Sequence, residues 1–454
     1  MERLYYPRFI DGYLQAWKNE KDHKPLLLRG ARQVGKSSAI RHLGKSFKYF
    51  VEVNFERDKE VIAAFRGNLK PQEIASRLSA FYGIPVVPGQ TLLFLDEIQA
   101  CPEAIHSLWF FYEDYSELHV IAAGSLLEFA LKNISSFGVG RVRSLFMYPM
   151  SFDEFLVATD HLTWLEAKKE ASPENPLFDA LHEKLVESFR SYLVVGGMPE
   201  SVHQWVESGD LLKCWQVQDD IMLAYEDDFS KYEGKVDPIL LRKVLRSVAL
   251  QTGGKFVYGN VQGDYRNEKV KVALELLKDA GLIKPVFHTA SNGIPLGAEI
   301  NEKFVKYIFL DSGLMLRLLG LENAGEASEI SKQILVGTAS ELVNKGHVAE
   351  MAAGWELLKY NAPNQRHDLY YWQNLNRGAQ AEVDYVIVKD MKVVPLEVKA
   401  GTKGSMKSMY QFVKDKHLTY GIRSSLENFG RLEQVDIIPL YALSNLYQTA
   451  EAGV

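Results

Sequence analysis

The first third of the chain alternates between short, mostly apolar runs and longer stretches of helical spacing. Leu26-Leu27-Leu28, Tyr49 to Phe55, Thr91 to Leu95 and His119 to Ala123 each predict a strand. Residues 8–19, the segment from Ser38 to Leu43, a stretch ending near Tyr82 and residues 103–112 predict the helices between them. Aromatics within 103–112 sit at helical spacing and read as core. Such alternation builds a parallel sheet with helices on its faces. The middle of the chain is different. Residues 160–230 are rich in helix formers, and Phe189 to Val195 runs into a turn at Gly196-Gly197-Met198-Pro199. Residues 236–290 read helix, helix, turn, helix, with Gly281 stopping the amphipathic stretch 267–280. Strands are predicted at 282–288 and 306–310. The last third reads as a helix at 346–352, strands at 370–373, 381–388 and 393–400, and a helix carrying Gln411.

The chemistry sits at strand ends. Gly30-Ala31-Arg32-Gln33-Val34-Gly35-Lys36-Ser37 fits G-x-x-x-x-G-K-[ST] at every fixed position, between a strand and a helix. Glycines let the backbone curl until successive N–H groups face one anion, and the helix N-terminus adds partial positive charge. Residues 30–38, Ser38 included, are therefore expected to cradle a nucleotide's triphosphate tail. Lys36 should reach the β- and γ-phosphates, and Ser37 should ligate Mg²⁺. The third run ends in Asp96-Glu97. Asp96 is expected to hold Mg²⁺, and Glu97 to polarise the attacking water as general base. Ser125, at the tip of the next strand, either meets the γ-phosphate or lytic water, or caps the helix that begins at Leu126; both can hold together. Arg141 and Arg143 are candidates to complete a neighbouring subunit's site, with a solvated surface arginine as the plain alternative.

Composition narrows the class. With 454 residues the chain exceeds one core, and about three domains follow from length. A net charge of −6 excludes a globally basic nucleic-acid binder. Yet residues 231–284 carry 11 Lys and Arg against 6 Asp and Glu, a local excess suited to a DNA backbone. The acidic Glu226-Asp227-Asp228 reads as a solvated face. Cys101 and Cys214 form no zinc-type cluster and fit a reducing cytoplasmic setting. Neither a signal-peptide core nor an apolar run long enough to cross a bilayer is found, so no membrane partner is expected.

These motifs resemble the AAA-type ATPases that carry a helical insertion and a C-terminal DUF4143-type domain. The resemblance rests on Gly30 to Ser37, Leu95-Asp96-Glu97-Ile98-Gln99, Ala123-Gly124-Ser125-Leu126-Leu127, Gly140-Arg141-Val142, Tyr148 to Phe155 and Gly196-Gly197-Met198-Pro199-Glu200. It implies an α/β fold with a P-loop (ASCE/AAA-type) parallel-sheet core, an oligomeric assembly, and a helical lid that includes the Gly196 turn. It also agrees with a winged helix over the helices and paired strands after residue 236.

A second constellation lies near the C-terminus. Asp384 and Glu397 fall on strands expected to pair as a hairpin, and Glu397 and Lys399, two apart, share a strand face. One Asp, one Glu and one Lys at one spot suit metal-assisted phosphodiester hydrolysis. This resembles the PD-(D/E)xK nuclease superfamily, which implies Glu350, Asp384 and Glu397 as ligands for Mg²⁺ or Mn²⁺, Lys399 as a catalytic lysine, and Gln411 as a supporting polar group. Lys392, Lys403, Lys407, Lys414 and Lys416 could grip phosphates or simply aid solubility. The expected domains are 1–158 (ATPase core), 159–232 (helical lid), 233–330 (winged-helix-like) and 331–454 (nuclease-like). The expected function is ATP-dependent DNA binding or processing by a cytoplasmic homo-oligomer. The alternative is an ATP-driven switch or protein-remodelling ATPase with an inactive nuclease-like scaffold.

Overall fold

The computed structural model describes residues 4–67, 70–125, 127–132, 140–230, 236–320, 345–378, 381–401 and 404–447. The chain divides into two compact units. One comprises Met1–Pro149 with Asp279–Gly281 and Ala362–Arg366, and the other holds the rest.

The first unit is a five-stranded parallel sheet of β1 (Leu26–Arg29), β2 (Tyr49–Asn54), β3 (Thr91–Asp96), β4 (His119–Ala123) and β5 (Arg143–Phe146), in the order β2-β3-β4-β1-β5. Its helices are α1 (Phe9–Asn19), α2 (Lys36–Gly44), α3 (Pro71–Tyr82), α4 (Pro102–Asp114) and α5 (Leu127–Lys132). Every residue of β3 and β4 is buried, as both faces are covered, so these strands read as continuous apolar runs. On the edge strand β2 only Val51 and Val53 are buried. The long helical stretch expected before Tyr82 is a 3₁₀ helix, Lys59–Phe65, followed by α3. Pro71 sets that second start, since its fixed φ suits a first helical turn.

The second unit opens with α6 (Phe152–Ala158), α7 (Leu162–Glu170), α8 (Asp179–Val195), α9 (Pro199–Ser208) and α10 (Leu211–Phe229). Ser151 and Glu154 form a reciprocal cap on α6: Ser151 Oγ accepts from the Glu154 amide, and the Ser151 amide donates to Glu154 Oε2 at 2.7 Å. The Gly196-Gly197 turn is held by Asp311, whose Oδ2 accepts from the Gly197 amide at 2.6 Å. Then come α11 (Pro238–Gln251), α12 (Asn267–Asp279), β6 (Ile283–Thr289), β7 (Ile300–Phe309), α13 (Ser312–Leu318), α14 (Lys345–Lys359), β8 (Leu369–Gln373), β9 (Glu382–Lys389), β10 (Lys392–Val398), α15 (Lys407–Asp415), β11 (Gly421–Ser425), β12 (Gly430–Leu432) and β13 (Val435–Pro439). Between α11 and α12 only a 3₁₀ turn, Tyr258–Asn260, forms, in a stretch weakened for helix by Gly253, Gly254, Gly259 and Gly263.

The strands of this unit join one eight-stranded sheet, ordered β12-β13-β11-β10-β9-β8-β6-β7. The hairpin β6-β7 is attached to the C-terminal strands by parallel pairing of Val286 to His288 with Leu369 to Tyr371. The sheet therefore runs across the expected division between a middle and a C-terminal domain. The boundaries expected at 232 and 330 lie outside the described residues, as do Gly138, Val139 and Lys403. Among the described residues no helix is long and apolar enough to cross a membrane.

Candidate functional site

β1 ends at Gly30, where a Cβ would lie 2.1 Å from the Met147 carbonyl oxygen, so only glycine admits this close approach. Gln33 (φ 64°) and Gly35 (φ 99°) turn the loop through left-handed conformations, and α2 starts at Lys36. Ala31 and Val34 are buried, Arg32 and Ser37 half-buried, and Gln33 and Ser38 exposed. The Lys36 ammonium is buried and donates to the carbonyl oxygens of Gly30 (2.8 Å) and Ala31 (2.7 Å). Burial lowers its pKa to about 8, with Glu97 and Asp96 opposing the fall. A charge partnered by neutral carbonyls is complementary to an entering anion.

Arg8 braces this loop and was not singled out in the sequence. Its Nη1 donates to Val34 O at 2.9 Å and its Nη2 to Tyr148 O at 2.8 Å. Tyr148 lies in a stretch already marked by the family resemblance, but nothing local ties that stretch to an arginine 140 positions earlier.

Asp96, the last residue of β3, is buried. Burial, helped by Glu97, raises its carboxyl to about 6. Ser37 Oγ donates to it at 3.3 Å from either oxygen, the Glu97 amide at 3.1 Å and Asn54 Nδ2 at 3.4 Å. A buried carboxylate beside a hydroxyl is a hard oxygen donor set, so Ser37 and Asp96 fit Mg²⁺. Glu97 leaves the strand in a left-handed conformation (φ 50°). Its Oε2 accepts from Ser125 Oγ (3.1 Å), the Ser125 amide (3.2 Å) and Gln99 Nε2 (2.6 Å). The hydroxyl of Ser125 is thus spent on the carboxylate expected to act as base. Leu126, the start of the helix Ser125 was expected to cap, lies outside the described residues. Lys36, Ser37, Asp96, Glu97 and Ser125 all gather where β1, β3 and β4 end. Asn54 and Gln99 join them; Gln99 stood inside a quoted motif, and Asn54 was visible only as a strand end.

Arg141 pairs with Glu113 and lies 4.7 Å from the Trp109 ring centroid. Arg143 holds Glu20 through two contacts of 2.6 and 2.8 Å. Both guanidiniums thus have partners within their own chain.

In the second unit β9 and β10 form the expected antiparallel hairpin. Asp384 Oδ2 accepts from the Val398 amide at 2.7 Å, and Lys399 Nζ donates to Glu397 Oε1 at 2.5 Å. Burial, with Asp384 adding, raises the Glu397 carboxyl to about 7. Its Oε2 is buried with no hydrogen-bond partner. Gln411, Lys407 and Lys414 are exposed on α15 and Lys392 is exposed at the start of β10, while Lys416 donates to Asn292 Oδ1 at 2.7 Å. Glu350, on α14, does not face these carboxylates alone. Its Oε1 accepts from Lys306 Nζ at 2.8 Å, and the same ammonium donates to Glu382 Oε1 at 2.5 Å. Burial by itself lowers the Lys306 pKa, but Glu350, Glu382 and Asp384 reverse this and leave it raised. Among the described residues no three His, Cys, Asp or Glu side chains group closely enough to hold a metal ion. The divalent ion expected at Glu350, Asp384 and Glu397 therefore does not fit, because a lysine already sits on Glu350. Lys306 and Glu382 were both missed. The available signal was a lysine inside the mostly apolar Phe304-Val305-Lys306-Tyr307-Ile308.

A P-loop fold of this strand order, with its phosphate loop after β1 and its acidic pair after β3, is an AAA-type module. In agreement, residues 22–156 match the family described as an AAA domain. Residues 186–325 match a domain of unknown function, DUF8612, and residues 345–443 another, DUF4143. The chain thus combines an AAA domain with a C-terminal DUF4143 domain. No curated protein matches it. Among solved structures it is similar to a Walker-type ATPase of Pyrococcus abyssi, at 14% identity over 69% of this chain and 96% of that one, with a TM-score of 0.44. It is also similar to the Orc1 protein of Aeropyrum pernix in complex with DNA (13% identity, 68% and 90%, TM-score 0.29) and to Drosophila ORC bound to DNA (15%, 69% and 85%, 0.26).

Proposed function

We propose that the chain hydrolyses ATP and uses the cycle to act on DNA. The observation that carries the first part is Lys36, a buried ammonium hydrogen-bonded to loop carbonyls next to Ser37 and Asp96. On nucleotide binding Lys36 exchanges those carbonyls for phosphate oxygens. Ser37 and Asp96 would hold Mg²⁺, which supplies charge neutralisation on the phosphates when bound. Glu97 takes the proton of the attacking water, with Ser125 and Gln99 fixing its carboxylate. Arg141 or Arg143 acts across a homo-oligomer interface once released from its own acid. The helical segment from α7 to α10 serves as the lid. ATP turnover by Lys36→Ala equal to that of the unmodified protein would end this reading.

The DNA part is supported by the basic excess of residues 231–284, which hold α11 and α12, and by the hairpin β6-β7 that follows them in the order of a winged helix. It predicts that DNA affinity falls steeply as salt rises; a slope near zero favours a protein partner. For the C-terminal domain the Lys306 contacts favour a scaffold over a nuclease. DNA should therefore stay intact with Mg²⁺ or Mn²⁺, and cutting that disappears in Glu397→Ala would reverse that choice.

A further inference from the structure

We propose that Lys306 is the resident cation of the C-terminal carboxylate pocket and excludes a divalent ion from it. This rests on the scaffold reading of the domain and is independent of ATP hydrolysis. Lys306 projects from β7 into the pocket and is 1% exposed. Its ammonium spans Glu350 on α14 and Glu382 on β9, at 2.8 and 2.5 Å. It lies 4.8 Å from the Tyr371 ring centroid, so an aromatic face closes another side. Glu382 and Asp384 are two apart on β9 and share its face. The remaining carboxylate, Glu397, has its own lysine, Lys399.

Glu350 is also covered from the α11 side. The left-handed Gly253 brings its backbone so near that a Cβ would sit 2.9 Å from Glu350 Oε2. That leaves little space for the six or more oxygens a hard divalent ion gathers. A second cation beside a desolvated ammonium would also be repelled at low dielectric. Replacing Lys306 by a shorter, neutral side chain removes the repulsion and vacates the ammonium's place: four carboxylates then face one lysine, and the buried Glu397 Oε2 lacks a partner. The pocket should then recruit the ion that the lysine displaced.

The test titrates Mn²⁺ into full-length, nucleotide-free protein by electron paramagnetic resonance. Subtracting the Asp384→Asn counterpart isolates this pocket from the phosphate loop. Lys306→Gln should bind one Mn²⁺ in an Asp384-dependent way, roughly tenfold or more tighter than the unmodified protein. Lys306→Arg keeps the charge and should behave as unmodified. If Lys306→Gln folds poorly, it is refolded with Mn²⁺; a rise in Tm with Mn²⁺ that the unmodified protein lacks supports the proposal. A Lys306→Gln protein that neither gains an Asp384-dependent site nor is rescued overturns the proposal and leaves the scaffold reading standing. An Asp384-dependent Mn²⁺ site of equal strength in the unmodified protein overturns the proposal, and DNA cutting at that site overturns the scaffold reading as well.

Discussion

A buried lysine in each unit, Lys36 in the first and Lys306 in the second, meets opposite surroundings. Lys36 faces two backbone carbonyls, and burial lowers its pKa to about 8. Lys306 faces two carboxylates that hold its proton more firmly than water would. Both ammoniums are desolvated, and the difference is only in the charge of the partners. Carbonyl dipoles, with Glu97 and Asp96 acting only through space, compensate the charge incompletely, so the site attracts an anion. Carboxylates compensate it, so the site attracts nothing further. A buried lysine is therefore not by itself a mark of a binding site, and the charge of its neighbours decides which way it reads.

The comparison breaks most visibly if each lysine is removed. Lys36→Ala should lower ATP turnover by about 10³-fold, the scale of losing a main charge-stabilising donor. Its Tm should change little, since Lys36 is hydrogen-bonded to neutral carbonyls and Asp96 and Glu97 keep their own donors. Lys306→Met should do the converse. The buried Glu350 and the half-buried Glu382 would lose their partner, which costs about 3 kcal/mol in denaturant unfolding, with turnover per folded molecule unchanged. A loss of stability in Lys36→Ala as large as that in Lys306→Met would erase the distinction.

The first half of this contrast was open to sequence reading and the second was not, for a physical reason. Strand, loop and helix around Gly30 to Ser37 are contiguous, so their type and order are local properties of the chain. Asp96 and Ser125 were legible because β3 and β4 are buried on both faces, β3 ending at Asp96 and β4 two residues before Ser125. Lys306 meets Glu350 and Glu382 only because β6 pairs in parallel with β8. Parallel pairing joins distant segments without a connecting turn, so it leaves no local signal of register. The same limit hid Arg8 and Asn54, whose partners lie far along the chain. The C-terminal hairpin was readable for the opposite reason, as β9 and β10 are joined by a short connection. Its surroundings were not readable, since Lys306, which contacts Glu350 and Glu382, comes from β7.

Within the first unit Glu97 sharpens the contrast. Glu97→Gln should keep nucleotide affinity but lower turnover by about 10²-fold, because it removes the base and not the lysine or the loop. Nucleotide binding lost together with turnover would place Glu97 in the phosphate cradle instead.

A smaller effect extends the rule to a third buried base. His119, on β4, stacks on His23 at 3.8 Å, is flanked by Trp17 and Phe47, and has its Nε2 3.0 Å from the Lys18 carbonyl oxygen. Like Lys36 it has a carbonyl and no carboxylate, and burial, with His23 adding, pushes it down to about 4. In the unfolded chain an ordinary histidine titrates near 6.5. Between those two values the unfolded chain binds a proton that the folded one refuses, so stability is lost as pH falls from about 6.5 towards 4. Relaxation and the coupling to His23 discount the shift, leaving about 2 kcal/mol across that window. Urea unfolding at pH 7 and pH 4.5 should show this loss in the unmodified protein and a smaller one in His119→Gln, with the carboxylates common to both cancelling. Equal losses in the two would mean that His119 keeps its proton in the fold, and that a carbonyl neighbour is enough to hold the charge on a buried base.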